Sequence, residues 1–207
     1  MYVLHRPWNP TQLPMRRFDT YLPYVPSQKE VWDFIQSFSN LKHKAVISLM
    51  YSSGLRVGEV CALRYEDISR SSMRIHICHS KARSDRYAIL SQKALDILTQ
   101  YWFRAGKPRG FLFPNRNDPQ RPMAAYTVNQ FIFAKETELG MEHRFTCHTF
   151  RHAFGTHLYE NGTDLLTIKA LLGHKSLNST TIYVHLASNG TANAVSPFDR
   201  MGGVLHE

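Results

Sequence analysis

Apolar residues at helical spacing over most of the chain, broken by one short alternating stretch, predict a mainly α fold with a small antiparallel β-sheet. Three observations carry that reading. Apolar residues recur three and four apart in segments bounded by capping side chains and glycine stops. Met73, Ile75 and Ile77 alternate with Arg74, His76 and Cys78, the period of a half-buried strand. At 207 residues, 43% of them hydrophobic, the chain suits one ordinary domain with a sizeable core.

Residues 1–26 hold Pro7, Pro10, Pro14, Pro23 and Pro26, too dense for a helix, and read as an extended arm or linker. Ser27 and Glu30 form a capping-box pattern ahead of Val31, Phe34, Ile35 and Phe38. A second helix is expected from Leu41 to about Tyr51, interrupted by Ser52-Ser53-Gly54, with a short helix restarting near Val57. The strand at Met73–Cys78 and a second at Arg86–Leu90 make a hairpin with Lys81 near its tip. Helical spacing returns over Ala94–Trp102, then from Thr127, a favourable N-cap, to Leu139 before Gly140. The last third predicts helices at Cys147–Tyr159, from Asp164 to Leu172, and near Ser179–Leu186, followed by a Gly/Asn/Ser/Pro-rich tail over 188–207.

Lys and Arg total 25 against 16 Asp and Glu, a formal net charge of +9. The isoelectric point near 9.6 points to a polyanionic partner, nucleic acid or an anionic membrane surface. No stretch approaches the ~20 apolar residues that span a bilayer, and Met1–Pro14 has no apolar core of a secretory signal. The three cysteines, Cys61, Cys78 and Cys147, include no CxxC pair, which disfavours a disulfide framework or Cys-based zinc site and makes a cytoplasmic location the expectation.

His148 and Arg151 stand three apart and share a helix face, a pairing of imidazole and guanidinium that suits a tetrahedral anion, although a solvated polar face has the same pattern. His148 and His152 have the i, i+4 spacing of two zinc ligands, but Thr149 stands where the metalloprotease pattern needs Glu, and no third ligand follows at a known spacing. Arg56 opens a helix after the Ser-Ser-Gly turn, and Glu59, three residues on, is placed to orient a basic group. Lys81 at a hairpin tip, His174 after a helix stop and Tyr183 in a helix are each unremarkable alone.

Their order is not. Gly54-Leu55-Arg56-Val57-Gly58-Glu59, Ser80-Lys81 in a hairpin, His148-x-x-Arg151-His152, Leu171-Leu172-Gly173-His174 and then Tyr183 with His185 close behind resemble the catalytic domain of the tyrosine recombinases, the phage-integrase family that includes the Xer type. The resemblance spans about Ser27 to Ala187. It implies a site-specific DNA recombinase that cleaves and rejoins strands of double-stranded DNA through a 3′-phosphotyrosyl intermediate. Carried over, Tyr183 is the nucleophile, Arg56 and Arg151 grip the non-bridging oxygens, and His148 assists removal of the tyrosine proton. Lys81 protonates the leaving 5′-oxygen, His174 hydrogen-bonds the phosphate or nucleophile, and Glu59 supports the basic cluster. Neither a cofactor nor a metal is implied, and no G-x-x-x-x-G-K-[ST] phosphate loop occurs.

Two rivals stand beside this reading: a catalytically weak DNA-binding domain of the same fold, and a His-rich metalloprotein. The family also carries an N-terminal helical domain that completes a clamp around DNA. The roughly 26 residues before the first helix are too few for it, so a fragment, or a different way of clamping DNA, is expected, with binding dominated by phosphate contacts. The resemblance further implies self-association on DNA through the tail, with Val195, Phe198 and Val204 as anchors.

Overall fold

A computed structural model describes residues 23–78 and 85–187. Most of the expected arm, Lys81 and the tail lie outside the described residues. Within them, Tyr24 stacks on His143 at 4.3 Å and donates from its hydroxyl to Glu30 at 2.6 Å, so the end of the arm packs on the domain.

Ser27 and Glu30 form the expected reciprocal cap, and helix α1 runs Gln28–Gln36 with Val31, Phe34 and Ile35 turned inward. Asn40 caps α2, Leu41–Ser53, by accepting from the backbone N–H groups of Lys42 and His43. Helix α2 is the centre of the fold: Ala45 through Met50 are buried in succession, because later helices cover it on more than one side. It ends at Gly54, whose φ of +62° is left-handed. The short α3, Val57–Ala62, follows, with a 3-10 turn at Tyr65–Asp67.

The sheet has one more strand than the hairpin predicts. Strand β1, Ile68–Ser69, pairs antiparallel with β2, Arg74–Ile77, which pairs with β3, Arg86–Ile89, in the order β1-β2-β3. Two residues are too few to show a period, which is why β1 escapes a sequence reading. Met73 is not the first strand residue but the end of the β1–β2 turn, at φ +50°, and its carbonyl accepts from Leu90 N–H.

Ser91 opens α4, Gln92–Arg104, which lies along α2. Helix α5, Ala125–Leu139, starts two residues before the expected start at Thr127. The N–H of Met123 is held by the Phe113 carbonyl and turns the chain there, and Thr127 N–H already bonds Ala124 within the first turn. Thr146 caps α6, Cys147–Glu160, which packs across α2, and Asp164 caps α7, Leu165–Leu172, which ends at left-handed Gly173. The helix expected near Ser179–Leu186 is split into a 3-10 turn, Leu177–Ser179, and α8, Ile182–Leu186. The break falls at Thr180, whose side chain is buried and engaged with His174. Phe34, Phe38, Phe131, Phe145 and Phe150 fill the space between α1, α5 and α6 with tilted and edge-on contacts.

Gly54 sits where the left-handed stop of α2 meets Phe154 of α6 and Leu172 of α7. A Cβ there would collide with the Phe154 ring and come within 2.7 Å of Leu172 Cδ2. Gly54→Ala therefore combines left-handed strain with overpacking, and urea unfolding is expected to show a loss of roughly 2–4 kcal/mol. A loss below about 0.5 kcal/mol, the scale of an ordinary surface change, would contradict this packing.

Candidate active site

Two elements, α3 and α6, bring the predicted cleft residues together. Arg56 is the N-cap of α3, Arg151 lies in the second turn of α6, and Glu59 stands between them on α3. Arg56, Glu59, His148 and Arg151, with Val57, Gly58, Ala125 and Cys147, line a cleft of about 530 Å³. Arg56 is 40% exposed and reaches into it, its Nη1 donating to Glu59 Oε1 at 2.9 Å. His148 is exposed at the start of α6, with its ring 6.5 Å from that of His152.

Arg151 is only 5% exposed. Its Nη1 donates to the Gly54 carbonyl at 2.5 Å and its Nη2 to the Leu172 carbonyl at 2.6 Å. Both acceptors close the C-terminal ends of helices, α2 and α7, where carbonyls lack intrahelical partners and the helix dipole is negative. Burial, then repulsion from Arg56, lowers its pKa to about 10, so it stays charged at neutral pH. These bonds use two of its five N–H groups, and the side chain also lines the cleft.

Sequence reasoning passed over Arg86. It is 8% exposed and meets Glu59 in a two-pronged pair, Nη1 to Oε1 at 2.7 Å and Nη2 to Oε2 at 2.8 Å, while Nε donates to Leu171 O at 3.1 Å. The signal was available: Arg86 shares the inward face of β3 with buried Ala88, and a charge at an inward strand position needs a partner. Burial alone would raise the Glu59 pKa, but hydrogen bonds from Arg86 and from Arg56 N–H, with the charge of both arginines, hold it at about 2. Two guanidinium groups thus bind one carboxylate, and Arg151 lies close enough to feel its charge, which leaves an excess of positive charge around the cleft.

His174 and Tyr183 sit behind Arg151. His174 Nδ1 is 2.9 Å from Thr180 Oγ1, and its ring lies parallel to that of Tyr183 at 6.3 Å. Burial, followed by the charges of Arg151, Arg56 and Arg86, lowers the His174 pKa to about 4. Tyr183 is 1% exposed, and its ring lies over Gly155 so closely that a Cβ there would stand 2.5 Å from Cζ. Gly155 is a second residue the sequence reading missed, and its signal is a glycine in the interior of a helix. Burial raises the phenol pKa of Tyr183, while Arg151 and Arg56 pull it down by less. His152, 6.2 Å from Tyr183 by ring centres, has a buried Nδ1 without a hydrogen bond. Among the described residues, no third His, Cys, Asp or Glu joins His148 and His152 in a ligand-like group. Of the predicted set, Arg56, Glu59, His148, Arg151, His174 and Tyr183 gather around Arg151; Lys81 lies outside the described residues.

The sequence profile of the phage integrase family matches residues 27–189. The chain belongs to this family. Among other phage-integrase relatives, it is 36% identical over 198 residues to the provisionally named integrase/recombinase y4eF of Sinorhizobium fredii, covering 95% of this chain and 78% of that one. It is 33% identical over 183 residues to a tyrosine recombinase of Pseudothermotoga lettingae, covering 87% of this chain and 61% of that one. The crystal structure of XerA recombinase superposes with a TM-score of 0.74 at 27% identity, covering 82% of this chain and 63% of that one. The chain thus spans less than two thirds of the length of the last two. No helix among the described residues is long and apolar enough to cross a membrane.

The low pKa values of Glu59 and His174 make stability pH-dependent in one direction. Unfolded His174 takes a proton as pH falls through its usual 6.5 while the folded ring stays neutral to about 4, so its contribution, full above 6.5, is lost across that interval. The Glu59 contribution is full above 4.5 and is lost as pH falls towards 2. Urea midpoints should therefore decline from pH 7 to 4, less steeply in His174→Gln, and the His174 imidazole should titrate near 4 by NMR. A His174 midpoint at or above 6.5 would contradict the buried basic setting.

Proposed function

We propose that this domain is the catalytic unit of a site-specific DNA recombinase, acting on a phosphodiester of double-stranded DNA, with residues 27–187 as that unit. The observation that carries the reading is a positively charged cleft lined by Arg56, His148 and Arg151, with His174 and Tyr183 packed close enough to feel the charge of its arginines, in a chain of this family. The Tyr183 Oη–phosphorus bond forms as the bond from phosphorus to the 5′-oxygen breaks. This stores the phosphodiester energy in a 3′-phosphotyrosyl link and frees a 5′-hydroxyl to attack a partner strand. Arg56 and Arg151 stabilise the charge that grows on the non-bridging oxygens, where one well-placed donor is worth about 3–4 kcal/mol. His148 takes the phenol proton, Lys81 supplies one to the leaving oxygen, and neutral His174 donates a hydrogen bond to the phosphate.

Arg151 suits its role because helix ends already fix it, so little reorganisation attends the transition state. Arg86 acts through Glu59 and is a positioning residue. The deep burial of Tyr183 requires α8 to shift for the hydroxyl to meet a phosphate in the cleft. That burial is also the observation behind a second reading, a DNA-binding domain that cleaves poorly. Self-association on DNA through Val184–Glu207 belongs to the proposal. It is supported by the apolar Val195, Phe198 and Val204 in the sequence, and a chain ending at Ala187 should lose DNA-dependent assembly in sedimentation.

A nicked duplex that releases a short 5′ fragment on cleavage traps the covalent step. The wild-type chain should form a protein–DNA adduct, Tyr183→Phe none, and Arg151→Ala should slow its formation by roughly 10²–10³-fold. An adduct that persists in Tyr183→Phe overturns the assignment. DNA binding without any wild-type adduct supports the binding-only reading.

A further inference from the structure

The turn after α3 and the sheet meet in a cluster of donor atoms that strand cleavage leaves unused. Asp67 ends the 3-10 turn, His76 lies on β2 and Cys78 follows it. One donor atom from each of the three lies within 4.8 Å of the other two. Cys78 Sγ is 3.1 Å from His76 Nδ1 and 3.8 Å from Asp67 Oδ1. Donors about 2.0–2.3 Å from one tetrahedral Zn²⁺ stand roughly 3.3–3.8 Å apart, so side-chain adjustments of about 1 Å or less seat an ion among these three.

The surroundings fit a metal as well as the donors do. Asp67 Oδ2 accepts from Arg64 N–H at 2.7 Å, which turns Oδ1 towards the thiol. The His76 ring lies against Tyr87 at 4.9 Å and 20°. Its Nε2 faces Asp85 Oδ2 at 3.6 Å, the carboxylate–histidine arrangement that commonly orients a metal-bound imidazole. Asp67, His76 and Cys78 also line a small cavity of about 20 Å³, with Glu59, Ala62, Leu63 and Ile77 as its other walls. A single water-sized occupant needs at least about 10–15 Å³, so there is room for one ion and no larger ligand. Thiolate, imidazole and carboxylate together match borderline divalent metals and disfavour Mg²⁺ and Ca²⁺.

We propose that Asp67 Oδ1, His76 Nδ1 and Cys78 Sγ bind one divalent transition-metal ion, Zn²⁺ by donor type, with Asp85 orienting His76 and water completing the tetrahedron. Binding releases the Cys78 proton to solvent, since the thiolate is the ligand. The ion ties the turn that follows α3, the helix of Arg56 and Glu59, to the ends of β2 and β3. Cys78 and Asp85 bracket residues 79–84, the connection that includes Lys81. The site is independent of the His148/His152 pair on α6.

The full chain, stripped with chelator, is titrated with Co²⁺ and then Zn²⁺. One equivalent of Co²⁺ should bind with tetrahedral visible bands and a sulfur-to-cobalt charge-transfer band, and Zn²⁺ should displace it. Cys78→Ser should abolish the charge-transfer band, Asp67→Asn should weaken binding at least about 10-fold, and His152→Ala should change neither. X-ray absorption at the zinc edge of the loaded wild-type chain should find one sulfur among the ligands, a readout that needs no variant to fold. No bound equivalent, no sulfur ligand, a band surviving in Cys78→Ser, or binding lost in His152→Ala would each overturn the proposal.

Discussion

Arg151 holds two helix ends with one side chain. Its guanidinium closes the carbonyl termini of α2 and α7, so the central helix and the element leading to His174 and Tyr183 share one buried cation. A buried guanidinium without partners would cost several kcal/mol, and here two carbonyls with no helical donors supply the hydrogen bonds. The left-handed stops at Gly54 and Gly173 free those ends for it. Structure and chemistry therefore rest on the same contact, and the cation that organises the fold also faces the cleft.

The charge balance around it explains the remaining polar groups. Arg56 and Arg86 stand close enough to act on buried Arg151, all three act on His174, and Glu59 is paired with Arg56 and Arg86. Full neutralisation would leave no attraction for a phosphate; no carboxylate at all would leave the arginines repelling one another in a low-dielectric setting. One carboxylate gives a cluster that holds together and still favours an anion. Burial, reinforced by the same field, keeps His174 neutral, which makes it a hydrogen-bond donor rather than a further charge.

Tyr183 shows a different compromise. Its ring is packed against Gly155 between two histidine rings, and burial makes its phenol harder to ionise than in water. The proposed nucleophile is therefore held in the less reactive form, with the two arginines that favour ionisation close by. Access to the cleft and activation of the phenol are then coupled, because leaving the apolar packing removes the opposing desolvation.

Much of this was legible beforehand. Ser27, Asn40 and Asp164 announce helix starts through local hydrogen bonds, Gly54, Gly140 and Gly173 announce stops, and the alternation through Ile75 and Ile77 announces a strand, all effects of a few neighbouring residues. The ordered motifs from Arg56 to Tyr183 likewise named the family and singled out residues that gather around Arg151. What periodicity could not show depends on residues far apart in the chain. The two-residue β1 exists because β2 lies beside it, and α5 starts early because Phe113 holds Met123. Arg86 is engaged because Glu59, 27 residues away, comes to face it. Gly155 matters because the ring of Tyr183 lands on it. Local hydrogen bonds and hydrophobic period were determined by the sequence alone. Partner choice for buried charges, and the burial of Tyr183, were decided only by tertiary packing, because desolvation depends on everything that closes around a group and not on its neighbours in the chain.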